Sequence, residues 1–343
     1  MKQLKGFQKG VNLGGWLSQG SLETEHLKSF ILEEDIAKIA SWGADHVRLP
    51  VDFENIETAD GKEKPEGYVY IDNCIEWCKK YGLNLVLDLH KTYGYIFDDK
   101  NYSSDFFDSV ELQDRFVALW QRLASRYAKY SDMMMFELLN EIVRYDVAEK
   151  WNEIALRCID EIRKLAPEVK ILYGGVGYNA VTAVKLLSPP RDENIVYNFH
   201  CYEPLLFTHQ TAWWVDGMPK DFHINYPGTL SDYLERSKEI SGTMVGAFRE
   251  HTFNITELGA EFFEEMFKEA VEVAEERNVS LYCGEYGVID QAPTDGTLRW
   301  FGDIHAVFEK YGIGRAVWSY KQMDFGLSDA HYSDILNELT KML

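Results

Sequence analysis

MMMFELLNE, residues 133–141, is apolar almost without interruption until it ends in Asn140 and Glu141. A strand with one wet face alternates apolar and polar residues. A run this continuous belongs to a strand covered on both faces, the condition met in parallel sheets flanked by helices. NLVLDL at 84–89 and NIVYNF at 194–199 have the same character. Working outward, eight such runs punctuate the chain, at 10–13, 45–49, 83–89, 133–139, 169–173, 195–199, 280–284 and 315–320. Helical patterns lie between them, at 33–42, 71–81, 112–130, 151–165, 261–277 and 298–311, and Gly43, Gly82 and Gly312 stand where a helix would end. Strand and helix in alternation are the mark of βα units around a parallel sheet.

Taking one residue near each strand's C-terminal end (Asn12, Arg48, His90, Glu141, Gly174, His200, Glu285, Trp318), the spacings run from 26 to 51 residues, except for 85 between His200 and Glu285. The long gap predicts an insertion of roughly forty to fifty residues after strand six, within about 203–260. That segment carries a helical stretch (TLSDYLERSKEI) and an aromatic cluster (LLFTHQTAWW) of its own. Eight βα units favour a closed (β/α)8 TIM barrel over a doubly wound sheet. The expectation is one domain over residues 1–343 with a small helical cap at about 203–260. In such a barrel the C-terminal ends of all strands meet at one mouth, so residues far apart in sequence share a site.

The 343 residues include 35 Lys+Arg against 56 Asp+Glu, a formal charge of −21. A polyanion such as nucleic acid, or an anionic membrane surface, would meet net repulsion, so a neutral substrate fits better. Five scattered cysteines (Cys74, Cys78, Cys158, Cys201, Cys283) are an odd number and do not form a disulfide framework. Cys74 and Cys78 lie on one face of an amphipathic helix with no second ligand pair, so they are expected in the core and not on zinc. No apolar run reaches the ~18 residues of a membrane span. The N-terminus MKQLKGFQKGVNLGG lacks the apolar core of a signal peptide, which points to the cytoplasm unless a leader has been removed. No cofactor or metal is expected, since neither H-x-H nor H-E-x-x-H occurs, and the chain is expected to act as a monomer. Gly175 to Ala180 spells G-x-G-x-x-A after a strand. As a dinucleotide fingerprint it fails, because it does not open the fold and no acidic residue ends the next strand to hold a ribose.

Polar residues gather where core packing predicts none: Arg48, Asp88, His90, Asn140, Glu141, His200, Tyr202, Glu285 and Trp318 all fall at strand ends. One histidine near an apolar strand is ordinarily hydrogen-bonded structure. Several charged groups converging on one mouth need partners or a task. Two carboxylates across a cleft suit glycoside hydrolysis, one as acid and the other as base or nucleophile. Arg48 would keep the nucleophile ionised, while a less solvated partner would hold its proton near neutral pH.

The segments VNLGGW (11–16), DHVRLP (45–50), LVLDLH (85–90), FELLNE (136–141), NFHCY (198–202), YCGEYG (282–287) and AVWSY (316–320) resemble, in order, those of the retaining family 5 glycoside hydrolases, the cellulase family. Within that family the chain resembles the compact single-domain bacterial endoglucanases with a helical insert after strand six. The resemblance implies Glu141 as acid/base and Glu285 as nucleophile, with Asn140 on the sugar 2-hydroxyl. It further implies that Arg48 and Tyr202 orient the nucleophile, that His200 sits beside the acid/base, and that His90 and Trp318 hold the sugar on the non-reducing side. The chain departs from many relatives in having Lys91 where a second histidine would follow His90, which bears on sugar preference. Among the aromatic residues, Trp16, Phe207 and Trp214 are expected as sugar platforms, with Trp213 and Tyr93 behind them. The implied reaction is endo-cleavage of β-1,4-glucan, with mannan or glucomannan, or exo-action on β-glucan, as alternatives using the same glutamates.

Overall fold

A computed structural model describes residues 1–98, 105–246 and 255–343. Eight strands, β1 (Gly10–Asn12), β2 (His46–Asp52), β3 (Asn84–Lys91), β4 (Met134–Glu137), β5 (Lys170–Gly174), β6 (Ile195–Cys201), β7 (Ser280–Tyr286) and β8 (Gly314–Val317), close into a barrel in sequence order. All pairings are parallel, and β1 completes the ring against β8 through Gly10 opposite Ala316 and Val11 opposite Val317. All eight apolar runs are therefore strands. Their ends shift by a few residues because the neighbouring ladder, not local pattern, decides where pairing stops: β2, β6 and β7 run on past the expected ends and β8 stops earlier.

Among the described residues, seven helices have eight or more residues: α1 (Glu33–Ser41), α2 (Pro65–Tyr81), α3 (Val110–Tyr127), α4 (Ala148–Arg163), α5 (Leu230–Ser237), α6 (Ala260–Glu276) and α7 (Thr294–Tyr311). α2 shows how the sequence builds one. Proline opens it at the position where a missing N–H costs nothing. Tyr68, Ile71, Cys74, Ile75 and Cys78 recur at helical spacing on the buried face, and Gly82 ends the helix in the left-handed conformation at φ 71°. All five cysteines are buried free thiols. Between β5 and β6, the shortest unit, a left-handed turn and a 3-10 stretch (Val181–Leu186) replace a regular helix.

The barrel interior is apolar at its base and polar above. Leu4, Phe7, Val86, Met135, Leu172, Val196, Tyr282 and Ala316 form the plug. His46 crosses it, with Nε2 2.7 Å from the Tyr282 hydroxyl, and Gly10 is required beside it, since a Cβ there would lie 2.2 Å from that nitrogen. One layer up, Arg48, Asp88, Glu137 and Asn198 are all buried. Three tryptophans on the outer helices tie the mouth ends of strands: Trp120 Nε1 donates to Leu138 O at 2.9 Å, Trp151 Nε1 to Gly174 O at 2.8 Å and Trp300 Nε1 to Glu203 O at 3.0 Å.

The long segment between β6 and α6 carries a helical turn (Leu205–Thr208) and α5, which Thr229 caps by accepting from the Asp232 N–H at 3.1 Å. It is moored to α7 by Tyr226, whose hydroxyl donates to Asp303 at 2.8 Å. Among the described residues, no helix is long and apolar enough to cross a membrane.

Candidate active site

Arg48 stands on β2 at the centre of the mouth and is wholly buried. Its guanidinium forks onto Glu137 (Nε to Oε2 2.6 Å, Nη2 to Oε1 2.9 Å). It also reaches Glu285 at 2.8 Å, Asp88 at 2.9 Å, and the side-chain oxygens of Asn12 and Asn140, each at 2.9 Å. A buried guanidinium with this many acceptors is locked in one orientation. Together with Glu141, four carboxyl groups share this one cation, so they do not all ionise at neutral pH. Burial pushes Glu137 up to about 7 and Asp88 up to about 8, against the pull of Arg48.

Glu285 is brought to the cleft by a break in register. β6 and β7 pair Phe199 with Cys283 and then His200 with Glu285, skipping Gly284. A bulge of this kind re-aims side chains. Gly284 makes it possible, since a Cβ there would lie 2.9 Å from both His200 Nε2 and Asn198 Oδ1. Tyr202 donates to Glu285 Oε2 at 3.0 Å, while Arg48 holds Oε1. Both oxygens of this carboxylate are thus gripped by donors.

Glu141 has the opposite surroundings. His200 Nδ1 lies 2.8 Å from its Oε1. Burial first, and the nearby Glu285 second, push its carboxyl well above the ordinary range. His200 itself is pushed well below the usual histidine value, by burial and then by Arg48 and His90. One carboxyl oxygen each from Glu141 and Glu285 and a ring nitrogen of His200 all lie within 4.8 Å of one another. The same three groups could formally hold a cation, yet their polar atoms are already engaged by one another and by Arg48 and Tyr202.

His90 sits 2.6 Å from Asp88 through Nδ1, and burial brings its ring down to about 4. It lies parallel to Trp318, with ring centroids 6.0 Å apart. Gly14 lets that indole approach, because a Cβ there would stand 2.8 Å from it. Asn140 Nδ2 is buried with no protein partner, while its oxygen accepts from Arg48. Lys91 pairs with Asp98 at 3.1 Å and Asp52 at 3.6 Å.

The structure therefore gathers Arg48, His90, Asn140, Glu141, His200, Tyr202, Glu285 and Trp318 at one mouth, but it does not bear out all three aromatic platforms. Trp16 is buried, donating Nε1–H to Leu27 O at 2.8 Å and stacking on Trp77. The chain turns at Gly15, with φ +80°, and sends the indole outward under the helices. Phe207 is fully buried between Tyr226 and Gly296, so it anchors the inserted segment and cannot offer a face to a sugar. Trp214 is half-buried against His209 and Phe325, the residues that also back Tyr202. Trp213 is 80% exposed beside it. Tyr93 lies beneath the Arg115 guanidinium, which covers its ring at 3.8 Å.

Glu137, Asn198 and Asn179 were not expected. Glu137 interrupts the apolar MMMFELL run, a signal that was present in the sequence. Asn198 donates to Glu137 at 2.8 Å and accepts from Gly284 N at 3.0 Å, so it braces both the Arg48 layer and the bulge.

The profile of the family described as Cellulase (glycosyl hydrolase family 5) matches residues 8–324. Cellodextrinase A of Ruminococcus flavefaciens is 45% identical over 315 residues, covering 92% of this chain and 86% of that protein. Endoglucanase C of Acetivibrio thermocellus is 40% identical over 344 residues, covering 98% of each. Among solved structures, Cel5A of Thermotoga maritima in complex with mannotriose aligns over 98% of this chain and 97% of that one, with a TM-score of 0.78 and 25% identity. The match across nearly the whole barrel and the identity to full-length relatives lead to one conclusion: the chain belongs to glycosyl hydrolase family 5, the cellulase family.

Proposed function

We propose that this protein hydrolyses β-1,4-glucosidic bonds within β-glucans and their oligosaccharides, with retention of configuration at the anomeric carbon. The observation that carries the proposal is the pair of carboxyl groups at a separation of under 5 Å in unlike surroundings. A pair ~5–5.5 Å apart suits a covalent double displacement, whereas an inverting pair leaves room for a water. Glu285, with donors on both oxygens, is assigned as nucleophile. It attacks the anomeric carbon as Glu141 gives its proton to the departing glycosidic oxygen, leaving a glycosyl ester on Glu285. Glu141, now a carboxylate, takes a proton from water as that water attacks the same carbon and releases Glu285. Asn140, with its free amide N–H, is assigned to the sugar 2-hydroxyl, and His90 and Trp318 to the ring on the non-reducing side. The glucan preference is supported by the names of the two relatives, a cellodextrinase and an endoglucanase.

A second reading, β-1,4-mannan, is favoured by the mannotriose complex of the Thermotoga Cel5A. Both are tested by product analysis on barley β-glucan, carboxymethylcellulose, glucomannan, mannan and laminarin, with Glu285→Ala as the blank. A ladder of oligomers from the glucans, absent in the variant, is expected. Products from mannan alone would overturn the substrate, and equal products from the variant would overturn the nucleophile.

A further inference from the structure

The left-handed turn after β5 carries a group that neither the mechanism above nor the glycine motif explains. Gly177 (φ 66°, ψ 42°), Tyr178 (φ 61°, ψ 46°) and Asn179 (φ 54°) follow one another in the left-handed region. Asparagine tolerates this conformation but tyrosine does not visit it readily, and runs of it are kept only where the surroundings enforce them. Here Tyr178 N–H donates to Ile142 O at 3.1 Å, one residue beyond Glu141, and Ala180 bridges to the backbone of His200. The glycines make room. A Cβ on Gly177 would lie 2.4 Å from the Tyr145 ring, and one on Gly174 would lie 2.5 Å from Asn179 Oδ1. The spacing that mimicked a phosphate loop therefore serves to seat a buried asparagine.

Asn179 Nδ2 lies 3.3 Å from His200 Nε2, while His200 Nδ1 lies 2.8 Å from Glu141. An amide nitrogen can only donate. With the amide nitrogen toward the ring and Oδ1 left without a hydrogen-bond partner, Nε2 is the unprotonated nitrogen, and the single ring proton sits on Nδ1, aimed at Glu141. We propose that Asn179 is a positioning residue that fixes the His200 tautomer, so that His200 donates to the Glu141 carboxylate and favours the form of Glu141 that acts as base. The proposal rests on the assignment of Glu141 as acid/base and deepens it.

Because burial keeps the ring neutral, the tautomer is the variable that matters. The charged groups that face Glu141 and His200 are Glu285, Arg48, Asp88, Asp98 and His90. The tyrosines near them are Tyr95, Tyr178 and Tyr202. Among the described residues, Asn179 is the side chain that bonds Nε2.

Two variants test the proposal. Asn179→Asp is isosteric, tolerates a positive φ, and presents only acceptors, so it draws the proton to Nε2 and turns the Nδ1 lone pair toward Glu141. Asn179→Gly keeps the backbone free and removes the amide. Ring ¹⁵N shifts of His200, which need no substrate, are expected to show the proton on Nδ1 in the wild type and on Nε2 in Asn179→Asp. In both variants the basic limb of kcat/KM on β-glucan is expected to move up by about half to one pH unit, since Glu141 loses a donor to its ionised form. Wild-type protein with its ring proton on Nε2, or variants that lose rate with the limb unmoved, would overturn the proposal. Wild-type inactivity on every glycan would instead overturn the proposed function, leaving the tautomer measurement to decide this one.

Discussion

Tyr202 and Arg48 divide the two oxygens of Glu285 between them, and the two donors differ in what they can be replaced by. The arginine also carries Glu137, Asp88, Asn12 and Asn140, so its loss would dismantle the layer. The tyrosine hydroxyl makes one bond of 3.0 Å. Tyr202→Phe is therefore expected to keep the fold and to lower kcat/KM roughly ten- to hundredfold, the range a charge-assisted hydrogen bond supports. Steady-state kinetics beside a thermal melt checks it, and an unchanged rate would remove Tyr202 from the nucleophile's support. Most of these residues could be read from sequence because each ends an apolar strand. Glu137 and Asn179 could not be given a role so early: the first acts through Arg48 on another strand, the second through His200 across a turn whose handedness is invisible in one dimension.

At the scale of elements, the indole clamps are the joints between helix layer and mouth. Trp151 on α4 is buried and holds Gly174 O, the residue before the left-handed turn. Trp151→Phe keeps most of the buried area but leaves that carbonyl without its donor, so it is expected to destabilise the fold by about 1–3 kcal/mol in urea titration. The inserted segment lies against Tyr202 through His209, and Phe325 from the loop after β8 packs on both rings. Its Trp213 is 80% exposed, with Nε1 3.2 Å from Asp324. Trp213→Ala is expected to leave the melting temperature alone and to raise KM for long cello-oligosaccharides about three- to tenfold, with little change for the shortest, as one lost aromatic platform would. Equal KM values across chain lengths would place this indole outside the binding cleft.

For the whole molecule, concentrating carboxyl groups at the barrel's centre ties stability to pH. Glu137 and Asp88 have folded-state values of about 7 and about 8, above those of an unfolded chain. The native protein then binds more protons than the unfolded one from the ordinary carboxylate values up to about 7 and 8, so the stability these groups give is full below the unfolded values, falls through that interval and is lost once pH has passed about 8. His90, brought down to about 4, acts in the other direction and only at lower pH. The melting temperature is expected to fall between pH 6.5 and 8.5 at fixed ionic strength, and Glu137→Gln is expected to flatten part of that fall. A melting temperature that rises over this interval would mean that these carboxyls are ionised in the native state.

The sequence alone determined the number and order of strands and eight of the residues that the structure gathers at the mouth. Each of these is written locally, in runs of apolar side chains and in the polar residue that stops each run. Tertiary structure decided the rest. Whether an aromatic ring lies in the cleft or in the core depends on how the chain turns after a strand, which sent Trp16 under the helices and Phe207 against α7. The unlike environments of Glu141 and Glu285 arise from a skipped residue at Gly284 and from one guanidinium shared across strands. Protonation depends on burial and on neighbours in space, and those exist only once the barrel has closed.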